Sequence, residues 1–357
     1  MLTIYSSAHG LHRGVELKDG AITESFEKPL RAETVLARVN ATSLGDVIAP
    51  RDYDPSSYVG AHSARYVDFL SRAWRDWLAT GRDCQALPLV WPVRGLPSAR
   101  MPAFIDGQLG FFSIDAGSPI NAGTWEAVRS SANSALTGVD TLLDGEGARS
   151  AFALCRPPGH HAGYETMGGY CYLNNAAIAA QRAITRGAKR VAILDIDFHH
   201  GNGTQDIFYA RDDVLFASIH GDPSVSFPYF SGYADECGSG AGEGFNLNLP
   251  LPRGTAIDGF ATALQQAGER IARHAPELLV VSLGVDTFEH DPISHFRLRS
   301  ADYPRVGGII ARLGIPTLFV MEGGYMVDEI GINAVNVLLG FEARARRAPG
   351  PERGPAP

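Results

Sequence analysis

Short, continuous runs of apolar residues recur through the second half of the chain and predict β-strands. These runs, rich in Val, Ile, Leu and Phe, lie at 151–154, 191–195, 214–219, 278–283 and 317–321. Segments with a helical repeat of apolar positions separate them, such as 175–186 and 257–274. Continuous apolar strands that alternate with helices are typical of a parallel sheet that is covered on both faces. We therefore predict an α/β fold with a central, mostly parallel sheet and helices on both faces.

The first half of the chain is less regular. Apolar residues at three- and four-residue steps predict an amphipathic helix over 64–80. This periodicity is lost over 83–124, where prolines are scattered, so we expect a long loop insertion there. Loops of such length inside a compact domain tend to be functional. Because no linker or repeat divides the chain, we predict one domain over 1–343 and a flexible tail over 344–357.

Composition and charge exclude several classes of protein. The 357 residues are 45% hydrophobic and 20% charged, which excludes disorder along the whole chain. A net charge of -8 argues against a nucleic-acid partner. No apolar run approaches the roughly 20 residues of a membrane helix, and the first residues lack the pattern of a secretory signal. The four cysteines form no CxxC pair, so we expect free thiols and a cytoplasmic location.

Histidines are concentrated in one part of the chain. Five of the 11 fall between residues 160 and 220, namely His160, His161, His199, His200 and His220. In parallel α/β sheets, ligands bind beyond the carboxyl ends of the strands. The residues that follow the predicted strands are therefore the candidates for chemistry.

Two predicted strands end in groups that bind metals. Alternation along an extended chain points Asp195, Asp197 and His199 to the same side, and Asp286 follows the strand at 278–283. Asp197, His199 and Asp286 would suit a zinc ion with one position left open for water. Iron or cobalt would fit the same ligands. The aspartates could instead cap a helix or a turn, which is the better interpretation of Asp286 taken alone.

Two more strand ends carry groups for proton transfer. A rigid Pro-Pro-Gly turn precedes His160 and His161, which could act as general acid and base. Two glycines precede Tyr325, whose phenol could stabilise a developing oxyanion. A pair of surface histidines and a core tyrosine are the ordinary alternatives, but joint placement at one sheet edge favours a catalytic site.

Five motifs in this order resemble those of the histone deacetylase superfamily, and most closely the bacterial acetylpolyamine amidohydrolases. They read RPPGHHA (156–162), GGYCYLNN (168–175), DIDFHHGNGTQDIF (195–208), SLGVDTFEHDP (282–292) and MEGGY (321–325). The resemblance covers roughly residues 1 to 340. It implies the arginase–deacetylase α/β fold and zinc-dependent cleavage of acetylated amines, above all acetylpolyamines, to acetate and a free amine. A deacetylase of acyl-lysine in proteins or peptides is the alternative within the superfamily.

The resemblance also implies roles for individual residues. One zinc ion per chain would be held by Asp197, His199 and Asp286. The catalytic residues would be His160, His161 and Tyr325, with His161 as the general base and later the acid. Asp195 would orient His160, and Asn202 would stand behind His161. The acyl tunnel would be formed by Gly169, Tyr170, Phe227 and Ile293. A structural potassium ion is expected around Asp195, Asp197, His199, Ser218 and Ile219.

Substrate choice and assembly depend on the 83–124 segment, which resembles an insertion that narrows the site and supports a homodimer in polyamine-cleaving relatives. Asp106 and Asp115 lie in this segment and could recognise the distal ammonium of a polyamine. Solvated loop aspartates are the equally good alternative for either residue. Which of the two gates the site is left open.

Two rival functions remain. An arginase-like dinuclear manganese hydrolase would need further carboxylates, but Gly201, Thr287 and Phe288 occupy the corresponding positions. A non-catalytic protein that binds amines is disfavoured because every expected catalytic position is filled.

Overall fold

An eight-stranded parallel sheet forms the centre of the molecule. The computed structural model describes residues 1–93, 100–144 and 148–346. The strands are β1 (Leu2–Ile4), β2 (Val15–Lys18), β3 (Ala21–Glu24), β4 (Val47–Ile48), β5 (Ser150–Ala153), β6 (Val191–Asp195), β7 (Val214–Gly221), β8 (Asn246–Leu251), β9 (Leu278–Leu283) and β10 (Thr317–Met321). Their order in the sheet is β4-β1-β5-β10-β9-β6-β7-β8, with every pairing parallel, while β2 and β3 form a separate antiparallel hairpin. The predicted α/β fold is confirmed.

Helices cover both faces of this sheet. They are α1 (Leu30–Ala41), α2 (Ala64–Leu78), α3 (Ile105–Phe111), α4 (Thr124–Leu143), α5 (Asn175–Thr185), α6 (Asn202–Phe208), α7 (Ile257–His274), α8 (Tyr303–Ala311) and α9 (Val327–Ala345). One hydrophobic cluster joins the sheet to α2, α4 and α5, and the other joins it to α1, α7, α8 and α9. Within the described ranges, no helix combines the length and the apolar character needed to span a bilayer.

The apolar strands are buried because they contribute to both clusters. In β6, Val191 and Ile193 pack into one cluster, while Ala192 and Leu194 pack into the other. Side chains alternate between the two faces of a strand, so in a strand that is covered on both faces nearly every position is buried and apolar. This explains the continuous apolar runs from which the central strands were predicted.

The predicted loop over 83–124 is wrong at two points. The short helix α3 lies inside it, and Thr124 already begins α4. Gly110 in α3 packs so closely against the carbonyl of Val90 that no Cβ would fit there. Two glycines in a seven-residue helix remove the apolar repeat from which a helix is recognised.

The predicted flexible tail also begins too early. Residues 344 and 345 are the last two of α9, whose apolar positions pack against the core as far as Phe341. The rest of the predicted tail, from residue 347 onward, lies outside the described residues.

The sheet order brings four functional strand ends together. β5, β10, β9 and β6 are consecutive neighbours in the middle of the sheet. Because all four run in the same direction, the segments that follow them meet at one edge. These are the segments that carry the tandem histidines, Tyr325, Asp286 and the Asp197–His199 pair.

Candidate active site

Asp197, His199 and Asp286 form a buried cluster at this edge. One potential ligand atom from each lies within 4.8 Å of the others. His199 Nδ1 is 2.9 Å from Asp286 Oδ2 and 3.3 Å from Asp197 Oδ1. The other carboxylate oxygens are held by the backbone, since the Gly323 amide donates to Asp197 Oδ2 and the Phe198 amide donates to Asp286 Oδ1, each at 2.8 Å. One oxygen of each carboxylate is thus left facing the imidazole.

This cluster fits a divalent cation. Burial, and then the nearby Asp197 carboxylate, raise the pKa of Asp286 to about 8. Two buried carboxylates repel each other unless a positive charge compensates them, and a divalent ion would supply that charge. Gly284 and Gly323 allow the backbone to pass so close to the Asp197 carboxylate that no Cβ would fit at either position. Two oxygens and one nitrogen are ligands typical of a catalytic zinc site.

The tandem histidines are held in two hydrogen-bonded pairs. His160 Nδ1 donates to Asp195 Oδ2 at 2.9 Å, and His161 Nδ1 donates to Asn202 Oδ1 at 2.7 Å. The two imidazole rings lie with their centroids 4.0 Å apart. Because each Nδ1 is engaged, each Nε2 is the nitrogen left for chemistry.

The two histidines differ in charge. Burial lowers the pKa of His160, but the carboxylates of Asp197 and Asp195 outweigh this effect and raise it to about 10. Burial and the positive charges of His160 and His199 hold the pKa of His161 well below its usual range. At neutral pH, His160 is therefore charged, while His161 is neutral and able to accept a proton.

Tyr325 is fixed at the same edge through its backbone and its ring. Its amide donates to Asp291 Oδ2 at 2.7 Å, and the Arg31 guanidinium lies 4.8 Å from its ring centroid. Arg31 also donates to the carbonyls of Gly324 and Glu322, at 2.6 and 2.5 Å. Burial raises the pKa of Tyr325 well above its usual range, so the phenol keeps its proton and can donate a hydrogen bond.

An open cavity of about 350 Å³ leads down to these groups. His161, His199 and Tyr325 line it, and so do all five residues expected to bind substrate, namely Gly169, Tyr170, Phe227, Ile293 and Asp115. The edge of the Phe227 ring meets His161 at a centroid distance of 5.0 Å. Gly169 lies too close to the imidazole of His161 to accept a Cβ. Tyr170 and Phe227 thus contribute aromatic rings to the lining of the cavity.

Sequence reasoning missed one acidic residue of the cavity. Glu16 lies on the β2–β3 hairpin, lines the cavity and accepts a hydrogen bond from the Tyr170 hydroxyl at 2.5 Å. Nothing in the sequence around Glu16 marks it, because the hairpin reaches the site only through tertiary packing.

The structure distinguishes the two aspartates that could recognise the distal ammonium of a substrate. Asp115 lines the cavity, and its carboxylate accepts hydrogen bonds from the Gly117 amide at 2.7 Å and the Gly169 amide at 3.0 Å. Burial raises the pKa of Asp115. Asp106 does not line the cavity and is paired with Arg82 at 2.6 Å. Within this chain, only Asp115 of the two is placed to meet a ligand.

His200 and His220 are core residues. Their rings lie 4.6 Å apart, and both are buried. Burial lowers the pKa of both imidazoles, that of His220 to about 4. His220 contacts Ser218 Oγ and the Gly232 carbonyl, each at 2.8 Å. Neutral, hydrogen-bonded histidines at these positions need no catalytic role.

Comparison with known proteins identifies the family of this chain. The family model described as histone deacetylase domain matches residues 25–340. Acetylpolyamine amidohydrolase 2 of Pseudomonas aeruginosa is 60% identical over 343 residues, covering 96% of this chain and 99% of that protein. The acetylpolyamine amidohydrolase of Mycoplana ramosa is 51% identical over 341 residues, covering 95% and 99%.

A solved structure shows the same fold. The crystal structure of an acetylpolyamine aminohydrolase from Burkholderia pseudomallei superposes with a TM-score of 0.90 at 39% identity, covering 96% of this chain and 99% of that one. This chain therefore belongs to the histone deacetylase family, in which it resembles the bacterial acetylpolyamine amidohydrolases over nearly its full length.

Proposed function

We propose that this chain, an amide hydrolase by family, is a zinc-dependent deacetylase that cleaves acetylpolyamines to acetate and a free amine. One observation carries the proposal: a candidate metal-ligand cluster, a neutral histidine and a protonated phenol converge at one cavity that is lined by aromatic residues. The names of the relatives that are 51% and 60% identical support the substrate class.

The first chemical step joins three groups. A zinc ion held by Asp197, His199 and Asp286 would polarise the amide carbonyl and acidify a water molecule. His161 Nε2 accepts the proton of the attacking water, since Nδ1 is engaged by Asn202. The Tyr325 phenol donates a hydrogen bond to the amide oxygen as negative charge develops there.

The second step breaks the C–N bond. His161 returns the proton to the leaving nitrogen, so that the amine departs and acetate remains. His160 keeps its positive charge beside Asp195 and would help to stabilise the negative charge that develops on the amide oxygen. The cluster contains three ligating residues, and Gly201 adds none, so one ion per chain is proposed rather than the two of an arginase-like enzyme.

A substrate panel tests the proposal. Zinc-loaded enzyme should hydrolyse acetylputrescine, acetylcadaverine and acetylspermidine, and a chelator should abolish turnover until zinc is restored. Acetyl-lysine peptides, matched in concentration, should be poor substrates. The rate of amine release is measured by chromatography. Faster cleavage of the peptides would assign the chain to the acyl-lysine deacetylases, while no cleavage of any amide would favour an amine-binding protein.

Asp115 is proposed to attract the distal ammonium of the substrate. We expect Asp115→Asn to raise KM for acetylspermidine by roughly tenfold, because a hydrogen bond to a charged group contributes about 1.5 kcal/mol or more. KM for an acetylated amine without a second ammonium should change little. Asp106→Asn serves as the matched control, since Asp106 pairs with Arg82 outside the cavity. An unchanged KM for acetylspermidine in Asp115→Asn would remove this residue from the proposal.

A homodimer is proposed through the 83–124 segment. Four apolar side chains of this segment are largely exposed: Leu89 (82%), Val90 (57%), Val93 (62%) and Phe104 (61%). Exposed apolar patches of this kind mark protein interfaces. We expect Leu89→Glu combined with Phe104→Glu to convert a dimer into a monomer in analytical ultracentrifugation. Phe230→Glu, at a still more exposed phenylalanine in another loop, should leave the dimer intact, and a wild-type monomer would contradict the proposal.

Two further features are proposed for the folded chain. A potassium ion is proposed to bind around Asp195 and Ser218, which are paired neighbours on β6 and β7 and are both fully buried.

A cytoplasmic location is proposed as well. Cys155 and Cys171 are buried and form no disulfide, which suits a reducing compartment.

A further inference from the structure

A second group of metal-ligating atoms lies beside the catalytic one. His160, Cys171 and Glu322 each place one such atom within 4.8 Å of the others, and all three side chains are buried. They come from three segments, which follow β5, precede α5 and follow β10. None of the three belongs to the Asp197–His199–Asp286 cluster, and the proposed reaction uses only His160 among them.

Glu322 has an oxygen without a partner. Its Oε2 accepts hydrogen bonds from the amides of Gly159 and His160, at 2.6 and 3.1 Å. Its Oε1 has no hydrogen-bond partner among the described residues, although the side chain is fully buried. Burial raises the pKa of Glu322 to about 7. A buried oxygen without a partner is costly, and such exceptions need an explanation.

The two neighbouring arginines do not satisfy this oxygen. Arg31 donates to the backbone carbonyl of Glu322, and its charge is paired with Glu27 at 2.9 Å. Arg156 is paired with the same Glu27 carboxylate at 2.8 Å. Both guanidinium groups are therefore engaged elsewhere, while one carboxylate oxygen of Glu322 lies within 4.8 Å of a ligand atom of His160 and of Cys171.

The other two members offer the remaining ligand atoms. His160 Nδ1 is engaged by Asp195, so Nε2 is the nitrogen left for a metal. The Cys171 thiol donates a long hydrogen bond of 3.4 Å to the Gly169 carbonyl. A thiolate, an imidazole and a carboxylate are ligands that zinc accepts together.

We propose that His160, Cys171 and Glu322 form a second, inhibitory site for a thiophilic divalent cation such as Zn²⁺. On binding, the Cys171 thiol and the charged His160 imidazole each lose a proton to solvent, and the cation bonds to sulfur, nitrogen and Glu322 Oε1. Occupation removes His160 from its catalytic position. The inhibition rests on the proposed deacetylase function, whereas the binding of the second ion does not.

Cobalt binding tests the site directly. The catalytic cluster has no sulfur ligand, so a sulfur-to-cobalt charge-transfer band reports only an ion bound by cysteine. The background is Cys84→Ser/Cys237→Ser, because these two thiols are exposed. When this protein is titrated with Co²⁺, the first bound ion should give no charge-transfer band, and the second bound ion should produce the band. Binding of one ion only would overturn the proposal.

Variants assign the band to the cluster. Cys171→Ser should lose the band and retain the first ion, while Cys155→Ser, a buried cysteine outside the cluster, should keep the band. Glu322→Gln should weaken the binding of the second ion by about tenfold or more. This variant provides an independent test if Cys171→Ser is unstable. A band that persists in Cys171→Ser, or an unchanged second affinity in Glu322→Gln, would overturn the assignment.

Zinc inhibition completes the test. Beyond one ion per chain, Zn²⁺ should lower acetylputrescine turnover by about tenfold or more, and Cys171→Ser should need at least about tenfold more zinc for the same fractional loss. Equal zinc sensitivity of the two proteins would overturn the inhibitory role. If no acetylated amine is hydrolysed at all, the proposed function fails, and the cobalt band still decides the site.

Discussion

Replacing His161 with alanine is expected to lower kcat on acetylputrescine by on the order of 10²- to 10⁴-fold. Burial, and then the charged His160 imidazole, hold the pKa of His161 well below its usual range, so the His161 imidazole is neutral at pH 7. His161 is thus the proposed proton acceptor, since it lines the cavity with His199 and Tyr325 and its hydrogen bond to Asn202 leaves Nε2 as the nitrogen that can take a proton. Steady-state kinetics with zinc-loaded protein measure the loss.

The controls separate chemistry from folding. The His161→Ala variant should bind one zinc ion per chain, since His161 is not among the cluster ligands. His290→Ala, at an exposed histidine outside the cavity, should keep the rate of the parent protein. A His161→Ala variant with normal zinc content and normal kcat would show that another group accepts the proton.

Tyr325→Phe is expected to lower kcat by on the order of 10²- to 10³-fold, with little change in KM. The substitution removes only the hydroxyl, which is proposed to donate to the developing oxyanion. The ring keeps its contacts with Arg31 and with Tyr170, which lie 4.8 and 5.6 Å from its centroid. The measurement is kcat and KM on acetylputrescine, together with the zinc content of the purified variant.

Tyr170→Phe provides the matched comparison. It makes the same change in the same cavity, but the Tyr170 hydroxyl donates to Glu16 rather than to the reacting oxygen. We expect its kcat to fall by less than about tenfold, in keeping with the net contribution of one ordinary hydrogen bond. Equal losses in the two variants would deny Tyr325 a special role in the transition state.

The central strands could be predicted because their burial requires a continuous run of apolar residues in the sequence. β6, β9 and β10 are covered on both faces, so every position is apolar up to the strand end, except Asp195, Ser282 and Thr317. The edge strand β4 has two exposed residues, and β8 alternates asparagine with leucine, so neither forms an apolar run. Edge strands are harder to predict from apolar runs, because an edge strand has a neighbouring strand on one side only and is less buried.

Local spacing also predicted much of the site. Alternation along the chain after β6 placed Asp197 and His199 on one side, and both lie in the metal-ligand cluster. The glycines before Tyr325 indicated a close approach of the backbone, and Gly323 indeed donates its amide to Asp197. These features depend on residues only a few positions apart, where covalent geometry restricts the possible arrangements.

Contacts between distant segments had to come from the structure. Arg31 reaches Gly324 across 293 positions of the sequence, and Glu16 reaches Tyr170 across 154. The choice of Asp115 over Asp106 depends on how the insertion packs against Gly169. The residue types and short spacings of this chain are sufficient to indicate its fold class and its chemistry. Only the order of strands in the sheet decided which distant side chains share the cavity, because their proximity results from packing free energy summed over the whole core.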